Sequence, residues 1–117
     1  MRKYQSLTKA KDFLATRRMG KSWSNGLLVL MARSNGLNVA RLGYSVGKRT
    51  GNAVVRNKLK RRLREAMRLE QVQEGWDLVL IARRDASLVD FHRLRDSVTN
   101  LLARADVLGP RRQHLKA

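Results

Sequence analysis

Apolar residues recur at helical spacing in two long stretches of the chain. Over 54–69, Val55, Leu59, Leu63 and Ala66 share one face at about 100° per residue, with Met67 at its border. From Asp90 onward, Phe91, Leu94, Val98, Leu101, Leu102 and Ala105 keep the same period, and Gly109-Pro110 is expected to end that helix. A shorter helix is predicted over 9–19, with Ala10, Phe13 and Leu14 as its apolar stripe. Thr8 is the candidate N-cap there, and Gly20 the candidate left-handed terminator.

Between the helices the period changes. The continuous apolar run 28–32 is too short for an independent helix and reads as a strand. Asn35-Gly36 follows, a pair suited to a tight hairpin turn, and then Leu42, Tyr44 and Val46 alternate with Arg41, Gly43 and Ser45. That alternation predicts a half-buried antiparallel strand. Ser22-Trp23-Ser24 forms a further short strand before a bend at Asn25-Gly26, and Trp76–Ala82 is another, centred on Leu78, Val79, Leu80 and Ile81. Helix, strands, helix, strand, helix is the order of a small α+β sandwich. With 117 residues and no internal repeat or linker, the expectation is one domain over 1–108 and a basic, mobile tail over 109–117.

Composition narrows the chemistry. There is no cysteine, which excludes disulfides, thiolate nucleophiles and sulfur-ligated zinc. No apolar run approaches the roughly 20 residues of a membrane span, and the start lacks a secretory signal, so the expected location is the cytoplasm. The charge is the dominant feature: 26 Lys and Arg against 9 Asp and Glu give +17. A compact body with that excess repels itself until anions screen it.

The excess is concentrated. Between 48 and 64 stand Lys48, Arg49, Arg56, Lys58, Lys60, Arg61, Arg62 and Arg64, with no acid among them. On the predicted second helix, Asn57, Lys60, Arg61, Arg64 and Arg68 lie opposite the aliphatic stripe. Solvated helix faces usually mix charge signs for i, i+4 pairing, and here only Glu65 interrupts the run through Arg68. A one-signed row of guanidinium groups suits a phosphate backbone, and the helix N-terminus beside Lys48 and Arg49 adds donors for anions. Gly51 lets the backbone approach closely, and Asn52 either caps the helix or donates to RNA. An amphipathic membrane anchor fits less well, because the apolar face is narrow and needed by the sheet.

A catalytic site is not expected. His92 and His114 are the only histidines, and the acids are scattered: Glu65, Glu70 and Glu74 suit salt bridges to arginines, while Asp77 and Asp85 read as edge or turn residues. No carboxylate cluster has the form of a two-metal site, and no residue is singled out as a metal ligand. Trp23 and Trp76 read as core or sheet-edge residues.

The stretch RLGYSVGKRTGNAVVRNKLKRRLREAM resembles the signature region of the bacterial ribonuclease P protein subunit. The matching positions are Lys48, Arg49, Gly51, Asn52, Ala53, Arg56, Asn57, Lys58, Lys60, Arg61 and Arg64. The KDF at Lys11, Asp12 and Phe13 and the IARR ending at Arg84 extend the likeness. The resemblance implies an α-β-β-β-α-β-α sandwich with a left-handed βαβ crossover. It also implies a ribonucleoprotein in which a large catalytic RNA, with Mg²⁺ bound mainly by that RNA, removes the 5′ leader of precursor tRNA. The protein, a monomer within the assembly, would bind the catalytic RNA through the basic helix and its preceding loop. The leader would lie in a cleft holding Phe13, Arg17 and Met31. Phe13 matches a family aromatic that stacks on bases; Arg17 and Met31 stand where the family often has a second aromatic and a tyrosine, which shifts leader recognition toward charge. The rival readings are a ribosomal or RNA-chaperone protein, a DNA-binding regulator with the helix in a major groove, and a self-contained ribonuclease.

Overall fold

The structure, a computed structural model, describes residues 4–109. From 110 onward the basic tail, with His114, lies outside the described residues. The chain forms β1 (Gln5–Ser6), α1 (Ala10–Met19), β2 (Lys21–Ser24), β3 (Leu28–Ser34), β4 (Arg41–Ser45), α2 (Ala53–Arg68), β5 (Trp76–Ala82) and α3 (Phe91–Arg104). Tight one-turn helices at Lys48–Thr50 and Arg84–Leu88 follow β4 and β5. The strands make one mixed sheet in the order β1-β4-β5-β3-β2, an α+β architecture.

The two long helices lie where their periodicity puts them, within one residue at most ends. Leu59, Leu63, Ala66 and Met67 of α2 and Leu94, Val98, Leu101 and Leu102 of α3 are buried against Leu28, Leu30, Leu42, Leu78 and Leu80 of the sheet. Each such leucine, moved from water into this layer, contributes about 1.5–3 kcal/mol. Both helices are capped by a side chain: Asn52 accepts from the Val55 N–H at 3.0 Å, and Asp90 from the Arg93 N–H at 2.8 Å. The second face of the sheet carries α1, which contacts β3 and β5. Beneath that helix lies Val79, fully buried by strand alternation on the side away from the main core.

Several local expectations are corrected. The strand after Asn35-Gly36 is not the hairpin partner of β3: β5 inserts between them, antiparallel to β3 and parallel to β4. Gly36 does take positive φ and Asn35 does organise the turn, its Oδ1 accepting from Leu37 N–H at 2.7 Å. The turn nevertheless carries the chain across a strand's width rather than back along it. The parallel β4 and β5, joined through α2, form the βαβ unit the resemblance implies.

Thr8 does not cap α1; Lys9 occupies the cap position with no side-chain bond. Gly20 ends that helix in an extended conformation, φ −79°, not a left-handed one. Its requirement for glycine is spatial, because a Cβ there would lie 2.5 Å from the Thr16 carbonyl oxygen and 2.6 Å from that of Ala32. The third helix stops before Gly109-Pro110, at Arg104, and Asp106 takes the left-handed turn at φ 59°. Asp77 is neither an edge nor a turn residue. It sits fully buried in the central strand, where both oxygens accept from Arg41, at 2.8 Å from Nε and 2.7 Å from Nη2.

Candidate nucleic-acid interface

The basic segment begins where β4 leaves the sheet. Thr50 folds the Lys48–Thr50 turn by donating its hydroxyl to the Gly47 carbonyl at 2.6 Å, and Ser87 donates to the Thr50 carbonyl at 3.0 Å. The ends of β4 and β5 are thereby tied together. Gly51 follows at φ 145°, with so little room that a Cβ would stand 2.7 Å from Val55 Cγ1. Asn52 then caps α2 and Ala53 begins it. The Gly-Asn-Ala sequence therefore supplies in order a tight turn, a cap and a first helical residue. Asn52 uses its side-chain oxygen for the cap, which leaves its amide N–H groups free for another acceptor.

The helix rotates its cations through three directions. Arg64 lies over β4, its guanidinium carbon 5.7 Å from the centre of the Tyr44 ring, and the helical period puts Asn57 and Lys60 on the neighbouring part of the helix surface. Arg61 points outward with Arg68, while Lys58 and Arg62 line the groove against the Arg84–Leu88 turn. Lys48, Arg49, Asn57, Lys58, Arg61 and Arg64 are exposed. Lys60 and Arg56 are half-buried, and the Arg56 Nε is buried without an acceptor. Among the described residues, no carboxylate pairs with any of these cations except Arg68. Lys48 and Arg49 immediately precede the Gly-Asn-Ala turn, and the helix cations follow it along α2.

Two members of the predicted set differ from the rest. Arg62 donates through Nη1 to the Val89 carbonyl at 3.2 Å, so it also holds α2 against the start of α3. Arg68, about 24 Å along the helix from the cap by the usual rise per residue, forms a fork with Glu65, whose closest contact is 2.5 Å. That guanidinium holds the exposed Glu65 carboxyl below its ordinary range. Local positive charge is correspondingly weaker at the C-terminal end of α2.

Tyr44 lies under this surface, and burial pushes its phenol from 10.0 up to about 12, with Arg64 acting against the rise. The folded protein therefore keeps that proton between about pH 10 and 12 while the unfolded chain releases it. Stability should fall across that window, by about 2–3 kcal/mol for a rise of this size. Denaturant titrations at pH 9.5 and 11.5 check this, and Tyr44→Phe should remove most of the Tyr44 share.

The opposite face of the sheet forms the cleft. Alternation and register put Gly43, Val79 and Met31 in one row across β4, β5 and β3. Phe13 of α1 lies against Gly43 so closely that a Cβ there would be 2.9 Å from its ring. Phe13 and Met31 are both half-buried on this face, two strands or about 10 Å apart. Arg17 is exposed on α1, one turn beyond Phe13. In the next row Ser45, Ile81 and Val29 remain half-buried beyond α1.

This shelf continues into a groove of about 740 Å³ bounded by Ser45, Lys48, Arg49, Ile81, Arg83 and Arg84. Arg83 and Arg84 were absent from the predicted binding set. The signal for them was the doubled arginine ending an apolar strand, which acquires meaning only once β5 is known to lie beside β4. The groove joins the cleft to the basic turn, so a single polyanion can run from one to the other. His92 and Asp96 are both exposed on α3. Among the described residues no group of three or more His, Cys, Asp or Glu is placed to hold a metal, and no helix is long and apolar enough to cross a membrane.

Comparison with known proteins agrees with this geometry. The profile of the Ribonuclease P family matches residues 1–106. The ribonuclease P protein component of Clostridium botulinum (strain 657 / Type Ba4) is 42% identical over 108 residues, covering 90% of this chain and 97% of that one. The solved structure of the Staphylococcus aureus RNase P protein superposes with a TM-score of 0.83 at 32% identity, over 92% of this chain and 100% of that one. The Thermotoga maritima RNase P protein gives 0.78 at 39% identity, over 86% and 96%. With a matched profile across nearly its whole length, relatives above 40% identity and the same fold in solved structures, the chain belongs to the ribonuclease P protein component family.

Proposed function

We propose that this chain is the protein subunit of ribonuclease P and acts in maturing the 5′ end of tRNA. Its α2 face and the Lys48–Thr50 turn bind the catalytic RNA, and the cleft under α1 receives the 5′ leader of precursor tRNA. The observation that carries this reading is the one-signed surface around the Gly-Asn-Ala turn. Its exposed cations Lys48, Arg49, Lys58, Arg61 and Arg64 have no carboxylate partner among the described residues, while the aliphatic side of the same helix is anchored in the core. The membership of the family gives the processing role; a ribosomal or RNA-chaperone protein would share the charge but not that membership.

In this reading the RNA carries the chemistry, with Mg²⁺ bound mainly by it to activate water and stabilise the departing oxygen. The protein binds and orients. Lys48, Arg49, Lys60, Arg61 and Arg64 neutralise phosphates of the RNA subunit. Phe13 offers a ring to an unpaired base, a contact of about 1–3 kcal/mol in other systems. Arg17, Arg83 and Arg84 keep the leader's phosphates near the shelf.

Reconstitution tests the division of labour. Adding the protein to a bacterial ribonuclease P RNA at low Mg²⁺ should raise the rate of precursor-tRNA cleavage, and the protein alone should leave the substrate intact. Unchanged cleavage by the RNA, or turnover by the protein without RNA, would contradict the proposal.

A further inference from the structure

Arg41 and Asp77 face one another across β4 and β5 on the side of the sheet that α1 covers. Asp77 is fully buried, and besides both Arg41 contacts it accepts from the Asn35 amide at 2.8 Å. The guanidinium has a third arm. Its Nη1 lies 3.3 Å from Oδ2 of Asp12, which belongs to α1. One side chain, only 18% exposed, thus reaches from the central strand pair up to the helix above it.

Asp12 is next to Phe13, and Phe13 rests on Gly43, two residues along β4 from Arg41 and on the same face. The other end of α1 is fixed by backbone packing, since Gly20 is pressed against the Ala32 carbonyl. The start of the helix has no side-chain cap. Its N-terminal half is placed by the phenyl ring, by this ion pair and by the preceding Leu7, which is buried and donates its backbone N–H to the Leu42 carbonyl at 2.8 Å.

We infer that Arg41 is a positioning residue for leader recognition: anchored on Asp77, it holds Asp12 and thereby sets where α1 presents Phe13 and Arg17 over the sheet. The inference rests on the reading of this cleft as the leader's seat. Three of the five Arg41 N–H donors are engaged within the chain, which fixes the guanidinium in the sheet beneath α1. Its influence passes through the helix.

Asp12→Asn removes the helix arm while leaving the Arg41–Asp77 fork intact. In the reconstituted holoenzyme it should weaken binding of precursor tRNA with a long leader by about 3- to 5-fold. Affinity for mature tRNA and for the RNA subunit should stay unchanged, and Asp12→Glu should restore the leader-dependent part. Arg41→Lys supplies a second route: an ammonium keeps a charge beside Asp77 but lacks the planar fork that reaches both carboxylates, so the same selective loss is expected. Phe13→Ala is run in parallel. If it is leader-selective while Asp12→Asn and Arg41→Lys leave binding unchanged or weaken both tRNAs equally, the positioning role is overturned and the cleft reading stands. If Phe13→Ala also shows no leader selectivity, the cleft reading fails and the inference with it.

Discussion

Replacing Arg56, Arg61 and Arg64 together by alanine is expected to weaken binding of the ribonuclease P RNA by about 10- to 100-fold at moderate salt. The three side chains cover successive directions of α2: toward the core edge, outward, and over Tyr44. None has a carboxylate partner among the described residues, so their charge is available to phosphates. Each phosphate left without its cation takes about 0.7–0.9 off the slope of log affinity against log salt, or about 2–3 in all. Two single variants give the contrast. Arg62→Ala should also lower stability, because it removes the hydrogen bond to the Val89 carbonyl. Arg68→Ala should change the salt slope least, since Glu65 already occupies that guanidinium. Equilibrium binding across a salt series checks all of these, with denaturation curves separating folding from binding.

The second large effect falls on stability. Asp77→Ala should lower the unfolding free energy by about 3–5 kcal/mol, the usual result of removing one partner from a buried ion pair. The Arg41 guanidinium would be left in a mostly buried site with only Asp12, and the Asn35 amide would lose its side-chain acceptor. Against a total stability of about 5–15 kcal/mol for a domain, that is a severe loss. Replacing the pair together, Arg41→Met with Asp77→Leu, removes the stranded charge and should recover a large part of it. Urea denaturation at fixed sulfate concentration measures both variants. A loss below about 1 kcal/mol in Asp77→Ala would mean that Arg41 reaches solvent freely.

Much of this arrangement was readable along the chain, and the exceptions share a physical origin. Helical period located α2 and α3 because their aliphatic stripes answer to a single large core. The run Trp76–Ala82 was bounded correctly because the central strand is apolar on both faces. The basic surface was legible since its residues are consecutive on one helix. Strand pairing was not, because whether β5 enters between β3 and β4 depends on contacts some 40 residues apart and leaves no trace at Asn35-Gly36. The same cause hid Asp77. An acid at the start of an apolar strand looks like an edge residue until the register places Arg41 beside it. β1 was missed because its two exposed residues carry no periodicity, and it exists only as a parallel addition to β4. For Phe13, helical spacing could place the ring on the inner side of α1. Only the fold shows that glycine lies opposite it.

The central claim is that the surface around α2 and the Lys48–Thr50 turn faces the RNA. Because the chain has no cysteine, a single tethered cleavage reagent can be introduced at will. Val54→Cys places it on exposed α2, beside the Gly-Asn-Ala turn, and Asn38→Cys at the far end of β4, in the loop that precedes it. Hydroxyl radicals from position 54 should cut the bound ribonuclease P RNA at discrete sites, and those from position 38 should leave it nearly uncut. Strong cleavage from 38 with none from 54 would show that the RNA docks elsewhere and contradict the account.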